Sequence, residues 1–165
     1  MATENGENGL DRTDLRLLQH LTDDARLSHV ELSAKVGLSP TACARRLQRL
    51  TESGVIRRYR AELDRARLGF GGLVIVRITL ERQSEDCLRA FEKAVARCPS
   101  VLSCYLMSGA ADYQVTVAAR DIADYERVHN TQLSRLPHVA RIESSFALRE
   151  VINRDVPPEM LAGAG

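Results

Sequence analysis

Arginines concentrate in one short stretch of the chain, between residues 41 and 60. This stretch holds six arginines against Glu52, a charge of +5, whereas the whole chain of 165 residues carries only +1. The other 145 residues therefore carry −4 in total. Guanidinium groups donate hydrogen bonds to phosphates and to base edges, so clustered arginines are typical of nucleic-acid contacts. The local excess of charge predicts DNA binding even though the total charge does not.

Most of this stretch is predicted to lie on a helix with a marked start and end. Ser39 is a good N-cap, Pro40 suits the first helical position, and Gly54 suits a left-handed stop. At about 100° per residue, Cys43, Leu47 and Leu50 share one face, which would pack against the protein. The opposite face carries Thr41, Arg45, Gln48 and Glu52, with Ala42 and Arg49 alongside. We expect this second face to contact DNA.

Two shorter helices are predicted before it, over Leu10–Leu21 and from Ser28 to Gly37. Asp11 caps the first helix, and Ser28 with Glu31 forms a capping box on the second. Only three to four residues separate the second helix from the third. Two helices joined by a tight turn containing Gly, with another helix before them, are typical of a helix-turn-helix. A plain three-helix bundle with a solvated arginine face is the alternative.

Two features favour DNA binding over the plain bundle. Val55–Leu63 is rich in β-branched and aromatic residues and bears Arg57, Arg58 and Arg60, so we predict a basic strand that would form a wing. The polar face of the third helix also lacks the interspersed acidic residues of a salt-bridged solvent helix, apart from Glu52 at its end.

A second domain follows a short polar linker at residues 64–70. Its hydrophobic pattern predicts the order βαββαβ, which is the ferredoxin-like pattern. The predicted strands are Leu73–Glu81, Val101–Met107, Tyr113–Ala119 and Val139–Val151, and the predicted helices are Glu85–Arg97 and Ile122–Leu136. The expected class is α+β, with an N-terminal winged helix-turn-helix domain at 10–63 and a ferredoxin-like domain at 71–152. Residues 1–9 are expected to form a disordered tail, and residues 153–165 a loose C-terminal tail.

One face of the predicted sheet has no helix to cover it. Both helices of a ferredoxin-like domain pack on the same face, so the other face needs polar residues or a partner. In the first strand, Val74 and Val76 point one way, yet Leu73 and Ile75 point the other way. We therefore predict that the chain self-associates through this open face.

Several classes of function are not indicated by the residues. No apolar run reaches the roughly 18 to 20 residues of a membrane span, and the N-terminus does not resemble a signal peptide. The four cysteines form no CxxC pair and the four histidines are scattered, so no metal site is predicted. No nucleophile elbow, phosphate loop or HExxH motif occurs, so no catalytic residue is assigned and an enzyme is not expected. The expected location is the cytoplasm, in association with the nucleoid.

Both halves of the chain contain short, distinctive sequence motifs. In the first half they are Leu10-Asp11-Arg12-Thr13-Asp14, Val36-Gly37-Leu38-Ser39-Pro40-Thr41 with Arg46-Leu47, and Gly54-Val55-Ile56. In the second half they are Ser108-Gly109-Ala110-Ala111-Asp112-Tyr113 and Leu136-Pro137-His138-Val139. With these motifs the chain resembles, over nearly its whole length, the bacterial and archaeal Lrp/AsnC regulators, also called feast/famine regulatory proteins.

The resemblance implies transcriptional control by a homo-oligomer that senses small molecules. It implies dimers whose sheets pack on each other and that assemble further into octamers or similar discs, with effectors, usually amino acids, bound between dimers. The second domain would then be an amino-acid-sensing domain of the RAM type. Its effector-binding candidates are Met107, Ser108, Gly109, Ala111 and Asp112. No cofactor is implied apart from the small effector.

The chemistry of this turn suits an amino acid. Gly109 would let backbone amides approach a carboxylate, and Asp112 would pair with an α-ammonium. The residues alone also fit an ordinary hairpin turn, with Gly109 at positive φ and Asp112 bonded to its own backbone. Ala110 stands where the family usually has an acidic residue. A ligand-independent DNA-architectural protein of the same fold therefore stays open as a second interpretation, and a stand-alone sensor whose helices bind protein as a third.

On the DNA side, a dimer would place two copies of the third helix in successive major grooves. Thr41, Arg45 and Arg49 are expected near bases. Arg46, Arg57, Arg58 and Arg60 are expected mainly on phosphates. The full set of DNA-binding candidates is Ser39, Pro40, Thr41, Ala42, Arg45, Arg46, Arg49, Arg57, Arg58 and Arg60.

Overall fold

The computed structural model describes residues 9–162, so most of the predicted N-terminal tail and the last three residues lie outside the described part. The chain divides into two compact units. Within the described part of the chain, the first unit comprises residues 9–62 together with residues 152–162. The second unit is Leu63–Val151.

The first unit is built on three helices, α1 (Arg12–Asp23), α2 (His29–Val36) and α3 (Pro40–Glu52). Each helix begins where the sequence predicts a cap. The side chain of Asp11 accepts from the amide of Asp14, that of Ser28 from Glu31, and that of Ser39 from Ala42. Such caps satisfy backbone donors that the first turn of a helix leaves free. The predicted start of the third helix is thus confirmed.

A small apolar core holds these three helices together. It contains Leu17 from α1, Leu32 and Val36 from α2, and Cys43 and Leu47 from α3, all of them buried. The predicted packing face of α3 is therefore the face that packs. Two glycines end α2 and α3 with positive φ values of 75° at Gly37 and 78° at Gly54, as a left-handed stop requires.

The predicted wing strand is wrong. The residues after α3 form a turn, in which the amide of Ile56 donates to the carbonyl of Leu50 over 2.9 Å, and no residue of Val55–Leu63 is in a strand. A strand needs a neighbouring strand to complete its ladder, and the described part of the first unit contains none. The β-branched residues of this segment favour a strand, but the segment has no partner strand that would complete one.

The second unit has the predicted βαββαβ order. Its strands are β1 (Gly72–Leu80), β2 (Val101–Leu106), β3 (Tyr113–Ala119) and β4 (Val139–Ala147), and its helices are α4 (Glu85–Val95) and α5 (Ile122–Thr131). The sheet order is β2-β3-β1-β4, with every neighbouring pair antiparallel. This arrangement confirms the ferredoxin-like α+β fold. A short 3₁₀ turn at Leu133–Arg135 replaces the predicted end of the second helix.

One face of this sheet packs against the helices. Val74, Val76 and Ile78 of β1 are fully buried, as are Phe91 of α4 and Val128 of α5.

β4 ends at Ala147, four residues before the predicted end, because Ala147 pairs with Leu73 and β1 begins only one residue earlier. Beyond that point β4 has no partner strand. At Gly72, a Cβ atom would lie 2.8 Å from the carbonyl oxygen of Ala119, so this close approach of β1 to β3 requires glycine.

The C-terminal residues of the first unit are not free of contacts. Arg60 donates through Nη2 to both carboxylate oxygens of Asp155, at 2.8 and 2.9 Å. A 3₁₀ turn follows at Pro158–Met160. No helix in the described part of the chain is long and apolar enough to cross a membrane.

Candidate functional site

The exposed face of α3 presents the residues predicted to meet bases. Thr41 and Arg45 are exposed and lie about one turn apart, close to the capped N-terminus of the helix. Arg45 makes no ion pair with any residue that the structure describes. Gln48, also exposed, is held by Glu52 over 2.7 Å. Thr41 and Arg45 are therefore the side chains of this face that are free to form new hydrogen bonds.

Arg46 points to a different place, because about 100° of helix rotation separates it from Arg45. Its Nη1 donates to Asp11 Oδ2 over 2.6 Å and to Asp14 Oδ1 over 2.8 Å. The Arg46 side chain is only 26% exposed. A guanidinium held by two carboxylates is not a free cation, so the predicted phosphate-binding role does not match its surroundings. Arg46 instead ties α3 to α1.

Arg49 shares the same partner. Its Nη2 forms a short ion pair with Asp14 Oδ2, while its side chain stays 55% exposed. Asp14 itself is fully buried, although its side chain is a carboxyl group. A buried carboxylate requires cationic or hydrogen-bonding partners, and these two arginines supply them. Arg49 is thus both exposed toward solvent and engaged with α1.

The pKa values of this cluster follow from its contacts. Hydrogen bonds to Asp11 and Asp14 raise the pKa of the Arg46 guanidinium. Burial alone would raise the pKa of Asp11, but hydrogen bonds from the Asp14 amide and from Arg46 outweigh burial and lower that pKa. Both groups are therefore held in their charged forms.

The basic surface is smaller than the sequence predicts. Arg57 and Arg58 are exposed and have no ion-pair partner among residues 9–162. Arg60, however, is paired with Asp155. Three of the six arginines thus have carboxylate partners that lie outside the stretch between residues 41 and 60.

The predicted effector turn joins β2 to β3. Met107, Ser108 and Gly109 are exposed, and the Met107 amide donates to the Asp112 carbonyl over 2.8 Å to close the turn. The backbone amides of residues 108–111 make no hydrogen bond with the part of the chain that the structure describes. Gly109 does not have a positive φ, so the structure lacks the left-handed glycine of the alternative, ordinary hairpin turn. A Cβ at Gly109 would meet nothing within 4 Å.

Asp112 is buried and has partners of its own. Its Oδ2 accepts from the Leu80 amide over 2.7 Å, and its Oδ1 accepts from Gln83 Nε2 over 2.6 Å. Asp112 therefore does not bond to its own backbone, as the alternative of an ordinary hairpin turn would require; its partners lie at the end of β1 and just after it. Sequence reasoning could not find them, because Leu80 is 32 residues away and donates through its backbone.

The cysteines offer no sign of a metal site. Cys43 is buried and the other three are half-buried, and all four are free thiols. Burial and the nearby charge of Glu92 raise the pKa of Cys104 to about 11. No group of three or more His, Cys, Asp or Glu residues within the described range could hold a metal ion.

The capped three-helix unit with exposed arginines, followed by a ferredoxin-like unit, has the architecture of a helix-turn-helix DNA-binding protein. Residues 10–57 match a winged helix-turn-helix DNA-binding domain, and residues 73–157 match the Lrp/AsnC ligand binding domain. The chain therefore belongs to the Lrp/AsnC family of transcriptional regulators. The protein is therefore a DNA-binding regulator and not an enzyme.

Individual relatives agree with this assignment over nearly their whole length. The Bkd operon transcriptional regulator of Pseudomonas aeruginosa is 44% identical over 149 residues, which cover 90% of this chain and 97% of that protein. The leucine-responsive regulatory protein of Escherichia coli is 39% identical over 142 residues, covering 86% and 87%. A transcriptional regulator of Neisseria meningitidis, solved as a complex with L-Met, has a TM-score of 0.86 and 33% identity, covering 92% of this chain and 99% of its own.

Proposed function

We propose that this regulator binds specific DNA sequences and that a small effector, an amino acid, bound between dimers, changes its assembly and its DNA binding. The observation that carries the effector is the exposed turn between β2 and β3, where four successive amides lack partners in the described structure. Free amides of this kind suit a carboxylate. The relative solved with L-Met, and the relatives named as leucine-responsive, support an amino acid as the ligand class.

On the DNA side, α3 enters the major groove and presents Thr41 and Arg45 to bases. Arg57 and Arg58 contact phosphates, and Ser39, Pro40 and Ala42 bring the start of the helix close to the backbone. Arg49 reaches DNA from the edge of the same face while it contacts Asp14. Arg46 and Arg60 form ion pairs with carboxylates of the same chain and are not assigned to DNA contacts. Because its partner is chromosomal DNA, the protein works in the cytoplasm and associates with the nucleoid.

Assembly uses the face of the sheet that the helices leave uncovered. Leu73 and Ile75 of β1 lie on that face, level with Ala118 and Thr116 of β3 in the ladder. Burying such residues against a second copy removes apolar surface from water. Dimers formed in this way assemble further, up to octamers, and the effector binds where two dimers meet. A ligand then shifts the population of assemblies only if its affinity for them differs.

The first experiment is fluorescence polarisation with labelled duplex from upstream of the protein's own gene and with random duplex, across salt. Each titration is repeated with a pooled amino-acid mixture. A salt-dependent preference for the upstream duplex that changes with the mixture supports the proposal, and fractionating the pool then identifies the ligand. Binding without preference or response would instead support the ligand-independent architectural protein. No binding at low salt would contradict both functions.

The role of Asp112 is tested with Asp112→Asn. Asparagine keeps an oxygen for the Leu80 amide but removes the charge that an α-ammonium needs, so the fold should persist while the ligand response is lost. The measurement is the change in sedimentation on adding the active amino acid, with DNA binding by dimers as a second readout. Asp124→Asn is the matched control, since it removes a buried carboxylate near the other end of β3. An unchanged ligand response in Asp112→Asn would remove Asp112 from the site.

A further inference from the structure

Two aspartates in this protein have nearly the same surroundings but connect different parts of the chain. Asp14 and Asp124 each occupy the third position of a helix, each is buried, and each pairs with two arginines. The arginines of Asp124 are Arg120 and Arg127, which lie within four residues of it. Those of Asp14 are 32 and 35 residues away, on α3. Only the Asp14 cluster therefore joins two helices.

The Asp14 cluster restrains the angle of α3 relative to α1 more narrowly than the apolar contacts do. Leu17, Cys43 and Leu47 pack α1 against α3 without directional bonds, so their contacts alone restrain the angle of α3 less narrowly than hydrogen bonds do. A guanidinium bound to a carboxylate allows less movement, because its hydrogen bonds have a narrow range of distance and angle. Asp14 Oδ1 accepts from Arg46 and Oδ2 from Arg49, so α3 is held at two points one turn apart. Two points determine a direction as well as a position.

The direction of α3 matters because it determines where the base-facing side chains Thr41 and Arg45 point. Pro40 lies six positions before Arg46, which is roughly 9 Å along a helix axis. A tilt of about 15° about the attachment would move the start of the helix by roughly 2 Å, whereas a productive hydrogen bond tolerates about 0.5 Å. Thr41, near the start of the helix, would be displaced, and the Arg45 side chain, next to the attachment, would be turned by the same angle, so both would lose their alignment with base edges.

We propose that Asp14 is a positioning residue for DNA recognition, whose buried carboxylate sets the angle of α3 through Arg46 and Arg49. The proposal rests on the proposed use of Thr41 and Arg45 as base contacts. Asp14 itself does not touch DNA. It acts on sequence selectivity, because base hydrogen bonds require the right angle, and much less on phosphate attraction, which depends on charge and distance.

The test uses Asp14→Asn in the full-length protein, with Asp124→Asn as the matched control. The probes are a duplex selected by the wild-type protein from a random library and a scrambled duplex of the same composition. We expect Asp14→Asn to reduce the ratio of the two affinities about tenfold or more, while binding of the scrambled duplex changes less than about threefold. Asp124→Asn should leave the ratio unchanged. Circular dichroism at the assay temperature reports the folded fraction, to which both affinities are normalised.

Any other result contradicts either the proposal or the base contacts of Thr41 and Arg45 on which it rests. A folded Asp14→Asn that keeps the wild-type ratio overturns it, and so does an equal loss of the ratio in Asp124→Asn. If Asp14→Asn does not fold, Asp14→Glu replaces it, because glutamate keeps the charge but displaces the carboxylate, and the ratio should again fall. Failure of both to fold would show that Asp14 serves stability alone. Arg45→Ala is measured in parallel. If Arg45→Ala keeps the wild-type affinity ratio, the proposed base contacts are wrong. If the ratio falls in Arg45→Ala but not in the Asp14 variants, the base contacts stand and only the role of Asp14 is refuted.

Discussion

Neighbouring arginines on α3 have different roles because helix geometry turns them toward different surroundings. Arg45 is exposed and free of carboxylates, whereas Arg46 is held by Asp11 and Asp14. A count of arginines along the sequence treats the two as equal. Their contributions to DNA binding should therefore differ in kind as well as in size.

Replacing a base-facing and a phosphate-facing arginine should give distinguishable results. Arg45→Ala should weaken binding of the selected duplex by about 1 to 3 kcal/mol and relax specificity. Arg58→Ala should weaken all duplexes alike and reduce the salt slope by about one. Polarisation titrations at several salt concentrations measure both effects. Equal effects of the two substitutions on selected and random duplex would contradict this division of roles.

The acid stability of the second unit should depend on Asp124. Hydrogen bonds from Arg120 and Arg127, with the backbone amide of Arg120, lower the pKa of Asp124. Because the folded state lowers this pKa, the ionised carboxylate stabilises the fold above its ordinary pKa of about 3.9, and this contribution is lost as pH falls below that value. Asp124→Asn should lower the melting temperature at pH 7 and flatten its fall in acid. Thermal melts from pH 2 to 7 test this, and an unchanged profile would contradict it.

At the scale of residues, the sequence predicted which face of α3 is exposed but not which charges are paired. Helical periodicity is local, so Cys43 and Leu47 could be assigned to the core from spacing alone. The partners of Arg46 come from residues 32 and 35 positions earlier, and those of Asp112 include a backbone amide. The spacing of Asp11 and Asp14 is that of a capping box, so it predicts the helix cap but not their ion pairs with α3.

At the scale of elements, helix ends depend on single residues with special geometry. Gly54 has a φ of 78° and ends the turn after α3, while Gly109 in the β2–β3 turn has no such requirement. A side chain at positive φ is strained whatever the space around it. The two glycines therefore offer a direct comparison, because neither would place a Cβ within 4 Å of another group.

Gly54→Ala should lower the free energy of unfolding by about 1 to 2 kcal/mol, because alanine at this φ is disfavoured. Gly109→Ala should change it by less than about 0.5 kcal/mol. Urea unfolding followed by circular dichroism measures both free energies. Equal losses in the two variants would show that strain at Gly54 is not the cause.

Most elements could be predicted because each carries its own signals of period and capping. The helix starts at Arg12, His29 and Pro40, and the order of the second unit, all follow from local pattern. The wing strand and the end of β4 could not be predicted, since a strand exists only where another strand lies beside it. Pairing is a property of two segments, and a single segment does not contain it.

At the scale of the whole molecule, the uncovered sheet face should determine the oligomeric state. Ile75 lies in the middle of β1, paired with Thr116 on one side and Ser145 on the other. Ile75→Glu would place a charge in the proposed interface, where desolvation opposes it. We expect the variant to sediment as a monomer at concentrations where the wild type is at least dimeric. Lys93→Glu, on the exposed side of α4, is the control and should sediment like the wild type.

The ion-pair clusters of Asp14 and Asp124 also differ in when they can form during folding. The Asp124 cluster closes a loop of four residues or fewer, so it can form as α5 forms. The Asp14 cluster spans 32 to 35 residues and can close only once α1 and α3 have met. Its contacts should then be absent from the folding transition state, and removing them should speed unfolding far more than it slows folding. The residue that we propose sets the angle of α3 would thus also set how long the first unit stays folded.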